Sequence, residues 1–386
     1  MIDTALREKL SVGHGQGLVV NRTAQKPAVP ARETIVSADN HYPLIDDIFH
    51  EAFPARLKDR APRIWLDEQS GVYQIGELFQ SVFPPTANAE LHGIEAHPGA
   101  RSLPARLADL DAEGITQEIA FPQILQLYFR HPDVEVRELI YATYNTYMIE
   151  VQRASNGRVF PVAIPNFWDP AKAPASIRSI AAMGFKSILL PNMPGKQPNG
   201  EPVVYNSPDY DPVFSAIEET GIVICHHIGE TFMQEGINGI GCRLMHDLSP
   251  DLFRLHFGRY VFGRILDKHP GLKIVFCEAG IAWAANAIQD AEMICNAHAT
   301  MFDSRPDLRP VDYWHRNCWT SFMTDIPGLR LLDIVGADRV LWSVDYPHNE
   351  GTFGYSQDSM QLVRDAVSQD QAARILGGTA IDLFGL

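Results

Sequence analysis

The chain has 386 residues, of which 46% are apolar, 20% charged and 10% aromatic. This is the composition of a folded globular protein and excludes disordered, collagenous and coiled-coil chains. Its 32 Lys and Arg against 47 Asp and Glu leave a formal charge of −15, which repels nucleic acid, and no apolar run approaches the roughly 18 residues of a membrane span.

The five cysteines (Cys225, Cys242, Cys277, Cys295 and Cys318) are odd in number and form no C-x-x-C. A disulfide framework and a thiolate zinc site are therefore excluded, and a reducing compartment is indicated. The opening MIDTALREKL lacks the apolar core of a secretory leader, so a cytoplasmic location is expected.

Residues 1–33 are polar and aperiodic and read as an N-terminal arm lying on the domain or on a neighbouring subunit. GHGQG at 13–17 follows no strand and is not succeeded by GK[ST], so it is not a phosphate loop. From residue 34 short apolar runs recur, each followed by a longer helix-like stretch. Strands are predicted at 34–39, 116–122, 159–165, 185–191, 222–227, 273–278, 318–323 and 339–345. Each is apolar on both faces, as strands of a helix-covered parallel sheet are. Between them, 169–184, 207–221 and 252–271 read as amphipathic helices with Gly or His-Pro-Gly stops. Eight alternations of strand and helix predict an α/β fold, a (β/α)8 TIM-type barrel occupying 34–386. A doubly wound open sheet is disfavoured, because no Gly-rich turn follows the first strand.

The longest gap follows the first strand. Residues 42–115 exceed what one βα unit needs and read as a lid-like insertion over the C-terminal face, with WLDEQSGVYQIG at 65–76 as a hairpin. Trp65, Tyr73 and Phe79 are apolar enough to cover a bulky substrate.

Barrel chemistry gathers where strands end. The first predicted strand ends in Asp39-Asn40-His41, the fifth in His226-His227, the sixth in Glu278 and the eighth in Asp345. Asp39 and His41 are two apart and leave one face of an extended segment, while Asn40 points the other way. Such a ring is costly to bury unless something pairs its charges, and a divalent metal does so. Mixed nitrogen and oxygen ligands suit Zn²⁺, Mn²⁺ or Fe²⁺. His226 is expected to face the helices, Cys277 the outer layer, and His348 to support a ligand from behind. Arg130, Asn192 and Trp283 are candidate substrate contacts in the loops after the second, fourth and sixth strands.

The segments VSADNH, ICHHIGE, VFCEAGIAW and VLWSVDYPHNEGTF resemble the amidohydrolase-related (amidohydrolase-2) family of metal-dependent barrels. The resemblance runs from about residue 34 to the C-terminus. It implies Asp39, His41, His227 and Asp345 as metal ligands, with Asp345 moving a proton. Where many relatives place a histidine after the sixth strand, this chain has Glu278. That residue is a ligand to a second metal, an orienter of water, or a general acid; one metal is the first choice and two the alternative. The family includes hydrolases of amides, esters and lactones and non-oxidative decarboxylases of aromatic acids. The Asp-x-His motif with Glu278 favours a hydrolase cleaving an acyl bond of a small organic molecule, thioesters included, by metal-activated water. The alternative is decarboxylation of an aromatic or unsaturated acid, with His348 and Glu278 joining Asp345 as catalytic candidates. A homodimer is expected on base rate alone.

Overall fold

The computed structural model describes residues 22–25, 33–43, 47–67, 72–75, 79–80, 97–123, 125–231 and 236–386. Most of the expected arm, including 13–17, lies outside them.

Eight parallel strands, numbered β1 to β8, form a nearly closed barrel with helices between them: β1 Val36–Tyr42, β2 Gln117–Pro122, β3 Val159–Ala163, β4 Ser187–Leu189, β5 Val223–His227, β6 Ile274–Cys277, β7 Cys318–Phe322 and β8 Val340–Trp342. Each pairs with its sequence neighbour in parallel. All eight fall within one to three residues of the predicted spans. The sequence marks them because a strand covered on both faces has to be apolar on both; Ile119, Val162, Ile188, Ile224, Phe276 and Leu341 are all buried.

The barrel closes through the chain just beyond β8. Asp345 N donates to Asp39 O (2.7 Å) and His41 N to Tyr346 O (2.6 Å). Ser37 Oγ accepts from Val344 N at 2.9 Å. The seam that completes the fold therefore joins the two segments richest in candidate ligands.

Helix ends follow their chemistry. Asp133 caps helix Val134–Ala154 by accepting from Glu135 N and Val136 N. Helices Ala173–Met183 and Asp211–Thr220 stop at Gly184 and Gly221, both with positive φ. The single helix predicted over 252–271 is instead two, Asp251–Phe262 and Ile265–Lys268. Arg264 adopts a left-handed φ of 58° between them, which an α-helix does not tolerate.

The insertion also differs in detail. Ile64–Asp67 and Val72–Ile75 form the expected antiparallel hairpin, extended by Phe79–Gln80. Residues 81–96, and the side chains of Trp65, Tyr73 and Phe79 expected to cover a substrate, lie outside what the structure describes. Helix Leu103–Glu113, at the end of the expected insertion, is the barrel's own helix between β1 and β2. Arg106 on it is buried and makes an ion pair with Glu118 of β2 (Nε–Oε1 2.5 Å). Its Nη1 donates to His41 O at 2.8 Å, and its guanidinium lies 5.0 Å from the ring centres of both Tyr42 and Tyr346.

Candidate metal centre

β1 delivers two side chains inward and one outward. Asp39 and His41 face the barrel mouth, and Asn40 turns back, donating to Glu118 Oε2 at 2.5 Å and accepting from Ser37 Oγ at 2.8 Å and Tyr346 N at 3.0 Å. The period of two read from the sequence thus separates ligand candidates from the residue that anchors them.

β5 does the same. His227 points in, with Nε2 3.2 Å from Asp39 Oδ1 and 3.3 Å from Glu278 Oε2, while Nδ1 is 2.9 Å from the Ile228 carbonyl. His226 points out against the helices, 2.8 Å from Tyr260 Oη and stacked on His256 at 4.3 Å.

Glu278 and Asp345 break the alternation. Both have left-handed backbones, with φ of 71° and 59°, a conformation costing an ordinary residue about 1–3 kcal/mol and found preferentially at functional sites. On β6 it is Phe276 that faces outward, packing on Trp283 and Phe253. Cys277 is paired across from His227 and interacts with Cys225 inside the barrel. The expectation that Cys277 faces the outer layer is therefore wrong. The strand ends there, and the turned backbone at Glu278 lets two consecutive side chains face inward. Beyond β8 the chain doubles back so tightly that a Cβ on Gly351 would come within 2.6 Å of the Asp345 and Val344 carbonyls.

The resulting cluster is compact and buried. His41 Nε2 lies 3.2 Å from Asp345 Oδ1 and 3.8 Å from Asp39 Oδ1. His348 Nδ1 is 3.0 Å from Asp345 Oδ1, and its ring stacks on His41 at 4.0 Å. Two overlapping groups of ligand atoms result, each within 4.8 Å: Asp39, His41 and His227, and His41, Glu278, Asp345 and His348.

Electrostatics show what such a site wants. Burial raises Asp345 to about 7 against the pull of His348. Burial, reinforced by the charge of Asp345, lifts Glu278 well above the carboxylate range. Burial opposes a charge on His227, yet Asp39 and Glu278 outweigh it and raise the imidazole to about 10. His348, likewise resisted by burial, is raised by Asp345 to about 9. Burial and neighbouring imidazoles push His41 far down, which leaves it in the neutral, metal-binding form. The cluster holds protons, on the carboxylates because of burial and on His227 and His348 in spite of it, and a dication supplies the same charge. The donors fit one: His41 Nε2 and Asp345 Oδ1 are buried and make no hydrogen bond.

Several residues that the sequence reading passed over support this centre. Ser321, at the end of β7, donates to Asp39 Oδ2 at 3.3 Å and accepts from Glu278 N at 2.8 Å. Gln123 Oε1 lies 2.8 Å from His348 Nε2. Ser321 follows the strand-end rule and was findable by it. Gln123 carried no such signal.

Beside the ligands, among the described residues, lies a narrow cleft lined by His41, His227, Phe121, Phe129, Leu189 and Ile228, with Gln126 and Glu230 adding polar groups. Glu230 is a further residue not singled out from the sequence. Its carboxylate accepts from Asn192 N and Met193 N, each at 2.7 Å, and burial raises it to about 7. Of the expected substrate contacts, Asn192 is buried and donates to His227 O, holding the end of β5. Arg130 is exposed, and its charge favours ionised Glu230. Trp283 sits in an aromatic cluster with Phe253, Phe276 and Trp314 and donates to Thr320 Oγ1 at 3.2 Å.

Barrel and ligand cluster together describe a metal-dependent enzyme fold. The family model described as Amidohydrolase matches residues 49–386, and the chain belongs to that family. The search of curated proteins found no match. Among solved structures, an amidohydrolase of Mycobacterium avium subsp. paratuberculosis K-10 is 19% identical, with a TM-score of 0.76 over 92% of this chain and 100% of that one. A 2,6-dihydroxybenzoate decarboxylase complexed with 2,6-dihydroxybenzoate is 17% identical, with a TM-score of 0.62 over 92% and 100%. A 5-carboxyvanillate decarboxylase of Novosphingobium aromaticivorans DSM 12444, complexed with manganese and 4-hydroxy-3-methoxy-5-nitrobenzoic acid, is 16% identical, with a TM-score of 0.67 over 94% and 99%. At these identities the likeness establishes the fold. Among the described residues no helix is long and apolar enough to cross a membrane.

Proposed function

We propose that the chain is a metal-dependent, non-oxidative decarboxylase of a small aromatic or unsaturated acid, the alternative rather than the first choice of the sequence reading. The observation that carries this is the apolar wall of Phe121, Phe129, Leu189 and Ile228 that stands beside His41 and His227 of the ligand cluster. Such a wall favours an apolar body whose charge is confined to a carboxylate held at the ligands. The decarboxylases among the structural neighbours support the reading, and the manganese in some of them puts Mn²⁺ ahead of Zn²⁺ and Fe²⁺.

Asp39, His41, His227 and Asp345 would hold the cation, which when bound neutralises and orients a carboxylate. The rest falls to side chains. The bond between the carboxyl carbon and the ring breaks, its electron pair stays on the ring carbon, and CO₂ departs. Glu278, whose environment favours the protonated form, gives its proton to that carbon as general acid, and solvent restores it. His348 holds Asp345 in place from behind.

Hydrolysis is the second reading, favoured by Asp39-x-His41 with Glu278 after β6. There Asp345 would take a proton from water attacking an acyl carbon and return it to the leaving group. One experiment separates the two. Manganese-loaded protein is incubated in D₂O with hydroxybenzoates and, separately, with amide, ester, lactone and thioester panels. CO₂ release with one deuterium on the product ring, lost in Glu278→Gln, is expected; acyl cleavage without CO₂ would refute the decarboxylase reading. A cytoplasmic homodimer remains part of the proposal on the sequence grounds given above.

A further inference from the structure

Between helix Asp251–Phe262 and helix Ala282–Ala297, on the outside of the barrel, lies a groove of about 660 Å³, within the roughly 300–1,000 Å³ of ordinary ligand pockets. Small residues open it: Gly258 on the first helix, and Ala287 and Ala291 on the second. Its walls are mainly apolar, and Leu255 and Met293 on them are 48% and 56% exposed. Two cations reach it. Arg254 is neutralised by Asp290 and also donates to Asn286. Arg259 is half-buried and has no carboxylate partner among the described residues. Burial lowers its pKa, opposed only by Tyr205 and Tyr260. An apolar groove with one uncompensated cation is complementary to an anion with an apolar body.

Arg259 also meets the metal-bearing strand through one nitrogen. Nε2 of the buried His256 lies 3.3 Å from Arg259 Nη1 and 3.1 Å from the Asn192 carbonyl, and Asn192 Nδ2 donates to His227 O at the end of β5. The guanidinium only donates and the carbonyl only accepts, whereas a neutral imidazole nitrogen does one or the other. Arg259 and Asn192 therefore compete for His256. We propose that the groove binds a carboxylate with an apolar tail, that Arg259 is its counter-ion, and that the bound anion draws Arg259 off His256, whose Nε2 then donates to Asn192 O and steadies the loop behind His227. This holds whichever reaction the metal serves.

The test is calorimetry of octanoate binding to the manganese-loaded full chain, with octanamide as the uncharged isostere and acetate as the carboxylate without a tail. Octanoate should bind saturably and roughly tenfold or more tightly than either. Arg259→Leu and Met293→Glu should each weaken octanoate roughly tenfold or more. Met293 is on the surface, so Met293→Glu reports even if Arg259→Leu folds poorly. Heat that survives both substitutions belongs to a carboxylate on the metal and would overturn the groove site, as would no saturable heat. Sedimentation is run alongside: a dimer dissociated by Met293→Glu, with no octanoate bound to wild type, would assign the face to a second copy of the chain instead. Hydrogen exchange reads the coupling. Octanoate should slow exchange of the Asn192 and Met193 amides about fivefold, the worth of one hydrogen bond, and His256→Phe should abolish that slowing while leaving octanoate bound. Exchange indifferent to octanoate, or slowing that persists in His256→Phe, would refute the link to His227.

Discussion

Glu118 offers the most quantitative check on how the metal-bearing strand is held. Its two oxygens accept from Arg106 Nε (2.5 Å) and Nη2 (2.9 Å), and Oε2 also accepts from Asn40 Nδ2 (2.5 Å). Both ends of the pair are completely buried. Glu118→Gln keeps the shape and leaves Arg106 a buried cation with no counter-ion, a loss of about 3–5 kcal/mol for breaking such a pair. Arg106→Met with Glu118→Leu removes both charges and should recover most of that stability, because replacing a whole buried pair is often neutral. The double variant still forfeits the Arg106 bond to His41 O and the Asn40 bond to Glu118, about 1 kcal/mol each. Urea denaturation of wild type and both variants at pH 7.5 measures the differences. Glu118→Gln within 1 kcal/mol of wild type, or a double variant weaker than the single one, would refute this account of the pair.

Other consequences can be checked alongside. His256 is buried, and burial lowers its pKa from 6.5 to about 3. Its contribution to stability is full above pH 6.5 and is lost as pH falls toward 3. At pH 5 it has lost about 2 kcal/mol, 1.5 pH units at about 1.4 kcal/mol each. His256→Gln should remove about one proton from the uptake on unfolding near pH 5, and an unchanged slope would contradict the burial argument. Ser321→Ala, which deletes the hydroxyl between Asp39 and the Glu278 amide, should weaken Mn²⁺ binding by about 10- to 100-fold in a metal titration; wild-type affinity would rule out a supporting role. Arg22 donates to the carbonyls of Asn349, Gly351 and Phe353 in the loop that follows His348. Arg22→Ala should speed amide exchange across 349–355 by about tenfold, the loss of one to two hydrogen bonds, and unchanged exchange would show that this part of the arm does not fasten the loop.

The sequence carries the barrel because its signal is redundant: eight doubly covered strands repeat one apolar pattern, and no single strand decides the fold. The inward set on β1 and β5 is legible for a related reason, since a period of two fixes which neighbour faces the mouth. That logic places Asn40 and His226 correctly and fails at Cys277, where the strand has ended and a left-handed Glu278 turns the chain. Trp283 fails differently. An aromatic residue near a strand end looks alike whether it lines a cavity or fills the helix layer, and only the positions of Phe253, Phe276 and Trp314 decide. Arg106 and Glu118 are 12 residues apart, and nothing local says that they meet beneath His41. Glu230 lay within a segment used for the family resemblance, yet its role depends on the amides of Asn192 and Met193 from another strand's loop.

The proposed chemistry requires a metal bound at the mouth of the barrel. The most direct measurement is metal content by inductively coupled plasma mass spectrometry, after reconstitution with Mn²⁺ and desalting, of wild type, Asp39→Ala and Glu278→Ala. About one equivalent in wild type, lost in Asp39→Ala and retained in Glu278→Ala, is the result expected of a single site built on β1, β5 and β8 with Glu278 as the proton donor. Wild-type protein that retains no manganese, zinc or iron after reconstitution with each, or an Asp39→Ala variant that binds as wild type does, would contradict it.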